Sequence, residues 1–177
     1  MKIDKTKILP LTLTGIIIIV DQITKAIIAS NWPVSRNNVI ADFFNNEFLQ
    51  IIHVRNKAIA FSLGNGVPDS VKPVLFVVLP LLVLCVLVWY YLRSDDFTNL
   101  QRWAVAGILG GGIGNIIDRI FRPDGVVDFI DVKFYGLFGW ERWPTFNVAD
   151  SSVVVCCILL FISIIFNGKK PKDATHE

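Results

Sequence analysis

The sequence predicts an all-α membrane protein: four transmembrane helices with a small extracytoplasmic β-sheet in the first outer loop. Three observations carry that prediction. Hydrophobic residues make up 53% of the 177-residue chain and collect in four stretches, at 8–28, 73–92, 103–121 and 146–166. Each stretch is 19 to 21 residues long, and a helix needs about 20 to cross a bilayer. Between the first two stretches, short runs rich in β-branched and aromatic residues give an outer β region at about 37–66. The length allows a single domain over 1–177.

The first stretch exceeds the ~7–15 residues of a signal-peptide core, and no small-x-small cleavage site follows it, so it reads as a retained helix. In the loop at 29–72, EFLQIIHV at 47–54 and AIAFSL at 58–63 read as strands joined at Arg55-Asn56-Lys57. The second stretch is almost purely apolar. The third contains Gly107, Gly110, Gly111, Gly112 and Gly114, with GxxxG spacing at Gly107/Gly111 and Gly110/Gly114. This spacing predicts close helix packing. No GK[ST] follows, so the glycines are not a phosphate loop, and the dinucleotide fingerprint lacks its third glycine and preceding strand. In the loop at 122–145, FIDVKF at 129–134 reads as a further strand. Trp32, Trp140 and Trp143 fall in outer segments, where an interfacial aromatic belt belongs. The tail after Asn167 is polar and expected to fray.

The net charge of +2 says nothing about nucleic acid, and no basic cluster supports such a partner, so none is expected. Cys85, Cys156 and Cys157 lie inside apolar stretches, with no CxxC or ligand spacing, and read as small apolar filler. Basic residues are dense in the short flanks: Lys2, Lys5, Lys7, Arg93, Arg102, Lys169, Lys170 and Lys172. Short basic flanks mark the cytoplasmic side, so both termini are expected in the cytoplasm and the two long loops outside.

That orientation brings four acids to one level. Asp21 lies in the outer half of the first helix, Asp118 near the outer end of the third, and Asp150 about one turn into the fourth. Asp128 lies in the outer loop between them. A carboxylate near hydrocarbon costs roughly 2.5–3.5 kcal/mol, which makes it a functional candidate. Asp69, Asp95, Asp96, Asp124 and Asp131 read as ordinary loop acids. Asn115 and Asp118 share a helix face, and Asn147 and Asp150 repeat that spacing. Each pair reads either as an interfacial polar cluster or as part of a site. Asp21 and Lys25, four apart, read either as a self-neutralising pair or as part of the same site.

Nucleophilic catalysis lacks parts. His176 is in the tail, His53 is in an expected strand, and there is no HExxH. The remaining chemistry is two carboxylates and a water. Two carboxyls in contact do not both ionise readily, so one keeps a proton while the other acts as a base.

With those residues in view, the chain resembles lipoprotein signal peptidase, the signal peptidase II family of bacterial inner-membrane aspartyl proteases. The matching motifs run in order along nearly the whole chain. They are Asp21-Gln22-x-x-Lys25, Arg55-Asn56 leading to Ala60-Phe61-Ser62, Gly114-Asn115-x-x-Asp118-Arg119, Val126-Val127-Asp128-Phe129, and Pro144 through Ser151. The family's Asn-x-Gly-Ala-Ala-Phe-Ser stretch appears here as Asn56-Lys57-Ala58-Ile59-Ala60-Phe61-Ser62, without the glycine. The resemblance implies a catalytic pair at Asp128 and Asp150. It implies support or substrate binding by Asp21, Lys25, Asn56, Gly114, Asn115, Asp118, Arg119, Asn147 and Ala149. Arg119 and Asp118 are expected to brace the third helix against the loop carrying Asp128. The implied substrates are diacylglyceryl-modified prolipoproteins, cut on the amino side of the lipobox cysteine, with membrane lipid as the surroundings and the enzyme a monomer. A proton-coupled transporter would place its carboxylates nearer the midplane and often carries internal repeats, and neither feature is seen. An assembly protein built on GxxxG packing would leave the clustered acids unexplained.

No His/Cys/Glu set has ligand spacing, so no cofactor and no metal are expected. Cleavage of a lipidated prolipoprotein should therefore proceed unchanged in excess chelator. Loss of activity there, restored by one divalent ion, would contradict the carboxylate-only reading.

Overall fold

The computed structural model describes residues 5–57, 68 and 70–167. Its elements are α1 (Lys5–Ile8), α2 (Leu11–Asn31), β1 (Ala41–Phe43), β2 (Leu49–Asn56), a π-helical turn (Val74–Val78), α3 (Leu79–Arg93), α4 (Asn99–Phe121), β3 (Val126–Val132), a 3-10 turn (Leu137–Gly139) and α5 (Val148–Asn167). Four helical segments are long and apolar enough to cross a membrane: Lys5–Asn31, Val74–Arg93, Asn99–Phe121 and Val148–Phe166.

Each segment sits on an expected apolar stretch, and the differences at the ends have local causes. Pro10 occupies the position before α2, so the first span divides into a short turn and a long helix. Pro80 lacks the N–H that would bond back along the helix, and the turn just before it widens to π geometry. The third helix starts at Asn99, four residues before the hydropathy limit, because Thr98 and Gln101 form a reciprocal capping box. The fourth starts at Val148, two residues late, because Phe146 pairs with Ile130 of β3.

α4 is the central helix. Of its apolar stretch, 56% is buried, against 17% in each of the other three. The outward faces of α2, α3 and α5 are apolar and uncovered, as lipid-facing surfaces are, with Ile16, Ile19, Leu82, Val83, Phe161 and Ile164 among them. The glycines of α4 serve close approach on three sides. A Cβ at Gly110 would crowd Ile17 of α2, one at Gly112 would crowd Leu84 of α3, and one at Gly111 would run into the carbonyl oxygen of Ala149 on α5. Hydrogen bonds cross the same contacts: Thr14 donates to the Ala106 carbonyl at 2.7 Å and Ser152 to the Gly107 carbonyl at 2.9 Å.

The sheet has order β1-β2-β3 and is antiparallel throughout. Its third strand comes from the second long loop rather than the first. β2 extends through Arg55 and Asn56, which were expected in a turn, and β3 runs Val126–Val132 rather than 129–134. Val54 pairs with Asp128 and Asn56 with Val126, so pairing with β3 holds both residues in extended backbone. The expected strand at 58–63, the loop acid Asp69 and the polar tail lie outside the described residues.

Gly111→Ala should destabilise the bundle by about 1–3 kcal/mol, because the added methyl meets backbone that cannot rotate away. Gly15→Ala, inside α2, meets nothing within 4 Å and should melt at or slightly above the parent. Thermal melting of both variants in detergent checks the comparison.

Candidate active site

The site forms where β3 passes the first turn of α5. Phe146 exchanges hydrogen bonds with Ile130 in both directions, at 3.0 and 2.8 Å, and its carbonyl also accepts the Phe129 N–H. The next residue, Asn147, lies just before α5. Its Oδ1 accepts the Asp150 N–H at 2.9 Å, while Asp150 Oδ2 accepts the Asn147 N–H at 3.2 Å. This is a reciprocal helix cap, so the Asn-x-x-Asp spacing is an N-terminal cluster and part of the site at once.

The cap fixes the rest of Asn147. Its oxygen is occupied by a backbone donor, so its Nδ2 must face the other way, and there it donates to Asp128 Oδ1 at 2.7 Å. Asn56, at the end of β2, donates to Asp128 Oδ2 at 3.0 Å. Asn115 of α4 donates to Asp150 Oδ1 at 2.7 Å. Its own Oδ1 accepts Lys25 Nζ at 2.9 Å and Asn147 Nδ2 at 3.2 Å. Among the described residues each carboxylate thus receives at least two hydrogen bonds, and Asn147 touches both.

Below the pair lies a layer of buried charge. Lys25 contacts Asp21 at 2.8 Å and Asp118 at 3.4 Å, and all three side chains are fully buried. Asp21 Oδ1 accepts the Ala149 N–H at 2.9 Å, which ties α2 to the start of α5. Asp118 Oδ2 accepts the Val127 N–H at 3.1 Å, and its other oxygen is paired with Arg122. Asp118 therefore ties the end of α4 to the strand carrying Asp128. Arg119 stacks over the Phe76 ring at 5.2 Å and lies within electrostatic reach of Asp128, Asp150 and Asp118. Gly114 leaves room for this layer, since a Cβ there would stand 2.8 Å from Asp21 Oδ2.

All eleven candidate residues lie in this region. Gln22 stood in the Asp21-Gln22-x-x-Lys25 motif but was given no role, and its amide lies within 3.1 Å of Asp21, Asp118 and the Gly114 carbonyl. Sequence reasoning passed over Arg122, although the i,i+4 spacing from Asp118 was visible. Asp131 is corrected. It is buried in β3 and bonds Arg142 at 2.5 Å, so it is not an ordinary loop acid.

Burial pushes the Asp128 carboxyl from 3.8 up to about 7. The nearby Asp150 charge adds to the rise, while hydrogen bonds from Asn56 and Asn147 and the charge of Lys25 oppose it. A group near 7 beside a second carboxylate can keep a proton at neutral pH and give it up without a large penalty.

Fold and site together define a multi-pass membrane protein with a pair of amide-bonded carboxylates where the sheet meets the helices. The family model described as Signal peptidase (SPase) II matches residues 13–166. A lipoprotein signal peptidase of Treponema denticola is 49% identical over 173 residues, covering 97% of this chain and 97% of the relative. One of Treponema pallidum is 43% identical over 169 residues, covering 96% and 89%. A bacterial membrane enzyme solved by the in meso method at 2.3 Å aligns with a TM-score of 0.78 and 27% identity, covering 95% of this chain and 94% of that one. The chain belongs to the signal peptidase II family, whose members are aspartic-type proteases that process signal peptides.

The raised Asp128 carboxyl has a consequence for stability. Below about pH 4 folded and unfolded chains both hold the proton; between about 4 and 7 only the folded chain does, so stability falls as pH rises, then levels off. Asp128→Asn removes this slope. The melting temperature of the parent relative to that variant should fall from pH 4 to 7 and stay level above. A flat difference across that range would contradict the assignment.

Proposed function

We propose that this chain removes the signal peptide from diacylglyceryl-modified prolipoproteins, cutting on the amino side of the lipobox cysteine, with Asp128 and Asp150 as the catalytic pair. The observation that carries the proposal is the bridge of asparagines. Asn147 reaches Asp128 and caps the turn bearing Asp150, and Asn115 holds Asp150 from the other side. Two acids on different elements, β3 and α5, are thereby held near each other in fixed orientation, as shared-proton catalysis needs.

In this reading Asp128 enters the reaction protonated and Asp150 ionised. Asp150 takes a proton from water as the water oxygen bonds to the scissile carbonyl carbon. Asp128 gives its proton to the carbonyl oxygen, which neutralises the developing charge. The tetrahedral carbon then re-forms its carbonyl and returns the proton to Asp128. The carbon–nitrogen bond breaks, and the departing amine takes the proton held by Asp150. Both carboxyls end as they began.

The location suits such a substrate. Short basic flanks favour cytoplasmic termini in the bacterial inner membrane, which places the sheet end of the bundle outside. A lipid-anchored peptide presents its scissile bond at that level. The uncovered apolar faces of the helices can accept its signal helix and acyl chains, and the sheet can clamp it from above.

Asp128→Asn and Asp150→Asn should each lower turnover of a lipidated prolipoprotein by roughly 1,000-fold or more, because neither amide can carry the shared proton. Mass analysis of the product measures the cut, and melting confirms folding. Substantial turnover by either folded variant would remove that residue from the mechanism.

A further inference from the structure

The fully buried lysine of α2 has more acceptors around it than charge balance needs. Asp118 is already paired with Arg122, and Asp21 already accepts the Ala149 N–H. Yet Lys25 Nζ also reaches Asn115 Oδ1 at 2.9 Å, from one turn of α2 to the facing side of α4. An ammonium only donates, so whatever faces it must accept. The amide of Asn115 therefore has one allowed orientation, oxygen towards Lys25 and nitrogen away. On the far side of that nitrogen lies Asp150 Oδ1, at 2.7 Å.

We infer that Lys25 is a positioning residue for the reaction: by holding the oxygen of Asn115, it makes the Asn115 amide a hydrogen-bond donor to Asp150. The inference rests on Asp150 acting as the base, as proposed above. Without Lys25, the amide can turn its oxygen towards Asp150, where two acceptors meet and favour a proton between them. Asp150 would then be held in the form that cannot take a proton from water. The longer contact from Asn147 Nδ2 to Asn115 Oδ1, 3.2 Å, supports the same orientation but comes from a group already directed at Asp128.

The arrangement separates position from charge. Lys25→Met removes the donor and the charge. Lys25→Gln removes the charge and keeps a side-chain N–H donor, one bond shorter, on the same side of Asn115. Loss of one hydrogen bond to a charged group lowers kcat by about 10- to 100-fold. Lys25→Met should show that loss in kcat with KM little changed, and Lys25→Gln should recover most of it. Combined with Asn115→Ala, Lys25→Met should cost no more than the worse single change, because both act through one bond.

The experiment uses the full chain in detergent micelles, a lipidated prolipoprotein as substrate, and melting to confirm folding. Equal losses in the Met and Gln variants, or losses that multiply with Asn115→Ala, would overturn the inference. So would an unchanged kcat in folded Lys25→Met. If Lys25→Met does not fold, Asn115→Asp serves instead: it still accepts from Lys25 but cannot donate to Asp150. A large loss of kcat in that folded variant is expected, and full activity would overturn the inference. Asp150→Asn is run beside them. If it retains turnover, the catalytic pair itself is wrong. If it is inactive while the Lys25 variants turn over normally, only the role of Lys25 is wrong.

Discussion

A lysine ammonium enclosed between apolar helices must be met by opposite charge, and much of this molecule is arranged around meeting it. Lys25 lies between Asp21 of its own helix and Asp118 of α4. Each carboxylate also accepts a backbone N–H elsewhere, Asp21 through its other oxygen from Ala149 at the start of α5, and Asp118 through the same Oδ2 from Val127 of β3. Four elements, α2, α4, β3 and α5, are thereby registered on two carboxylates. Breaking one member of a buried ion pair costs about 3–5 kcal/mol, whereas replacing a whole pair by apolar groups is often neutral. Stability alone is thus a weak reason for the cluster. Its directional bonds do something apolar packing cannot, since they fix the azimuth of α5 and the height of β3.

The spans were legible because bilayer thickness imposes a length that hydropathy registers directly. Their ends were not, because ends are set by local bonds. Thr98 and Gln101 start α4 ahead of its apolar run, and the pairing of Phe146 with β3 delays α5. The sheet was legible in kind and in two of its strands, β2 and β3, but not in their bounds or in β1. Strand propensity is local, whereas the pairing of β2 with β3 joins segments about seventy residues apart across two membrane helices. The site acids stood out because a carboxylate inside an apolar run has no cheap local explanation. Gln22 did not, since a neutral amide next to an acid looks like ordinary interfacial polarity. Asp131 was misjudged for a related reason. Its partner, Arg142, is brought alongside by the bridge between Lys133 and Arg142, and no short-range spacing announces that.

The Asn-x-x-Asp spacing of α5 joins two readings of one motif. As a cap, Asn147 and Asp150 satisfy N–H groups that every helix start leaves open. As a site, the same pair places a carboxylate in the first turn, where the aligned peptide dipoles favour negative charge. The two demands agree. A side chain fixed by its own helix cap keeps its rotamer without help from substrate, and the backbone that fixes it is pinned in turn by β3.

Placing the second carboxylate on a strand completes the logic. Asp128 alternates along β3 with residues packed against the end of α2, among them Val127 and Phe129, so its direction follows from burying those neighbours. A slip of one residue in the strand would turn Asp128 to the opposite face and bring an apolar side chain to the asparagines. Two things resist that slip. Phe146 exchanges bonds with Ile130, and Asp118 receives the N–H of Val127, the residue just before Asp128. The separation of the two carboxyls is therefore a property of backbone registration, with helix cap on one side and strand pairing on the other. A substrate reaching this site meets groups that are already in place, so little of its binding interaction goes into ordering them.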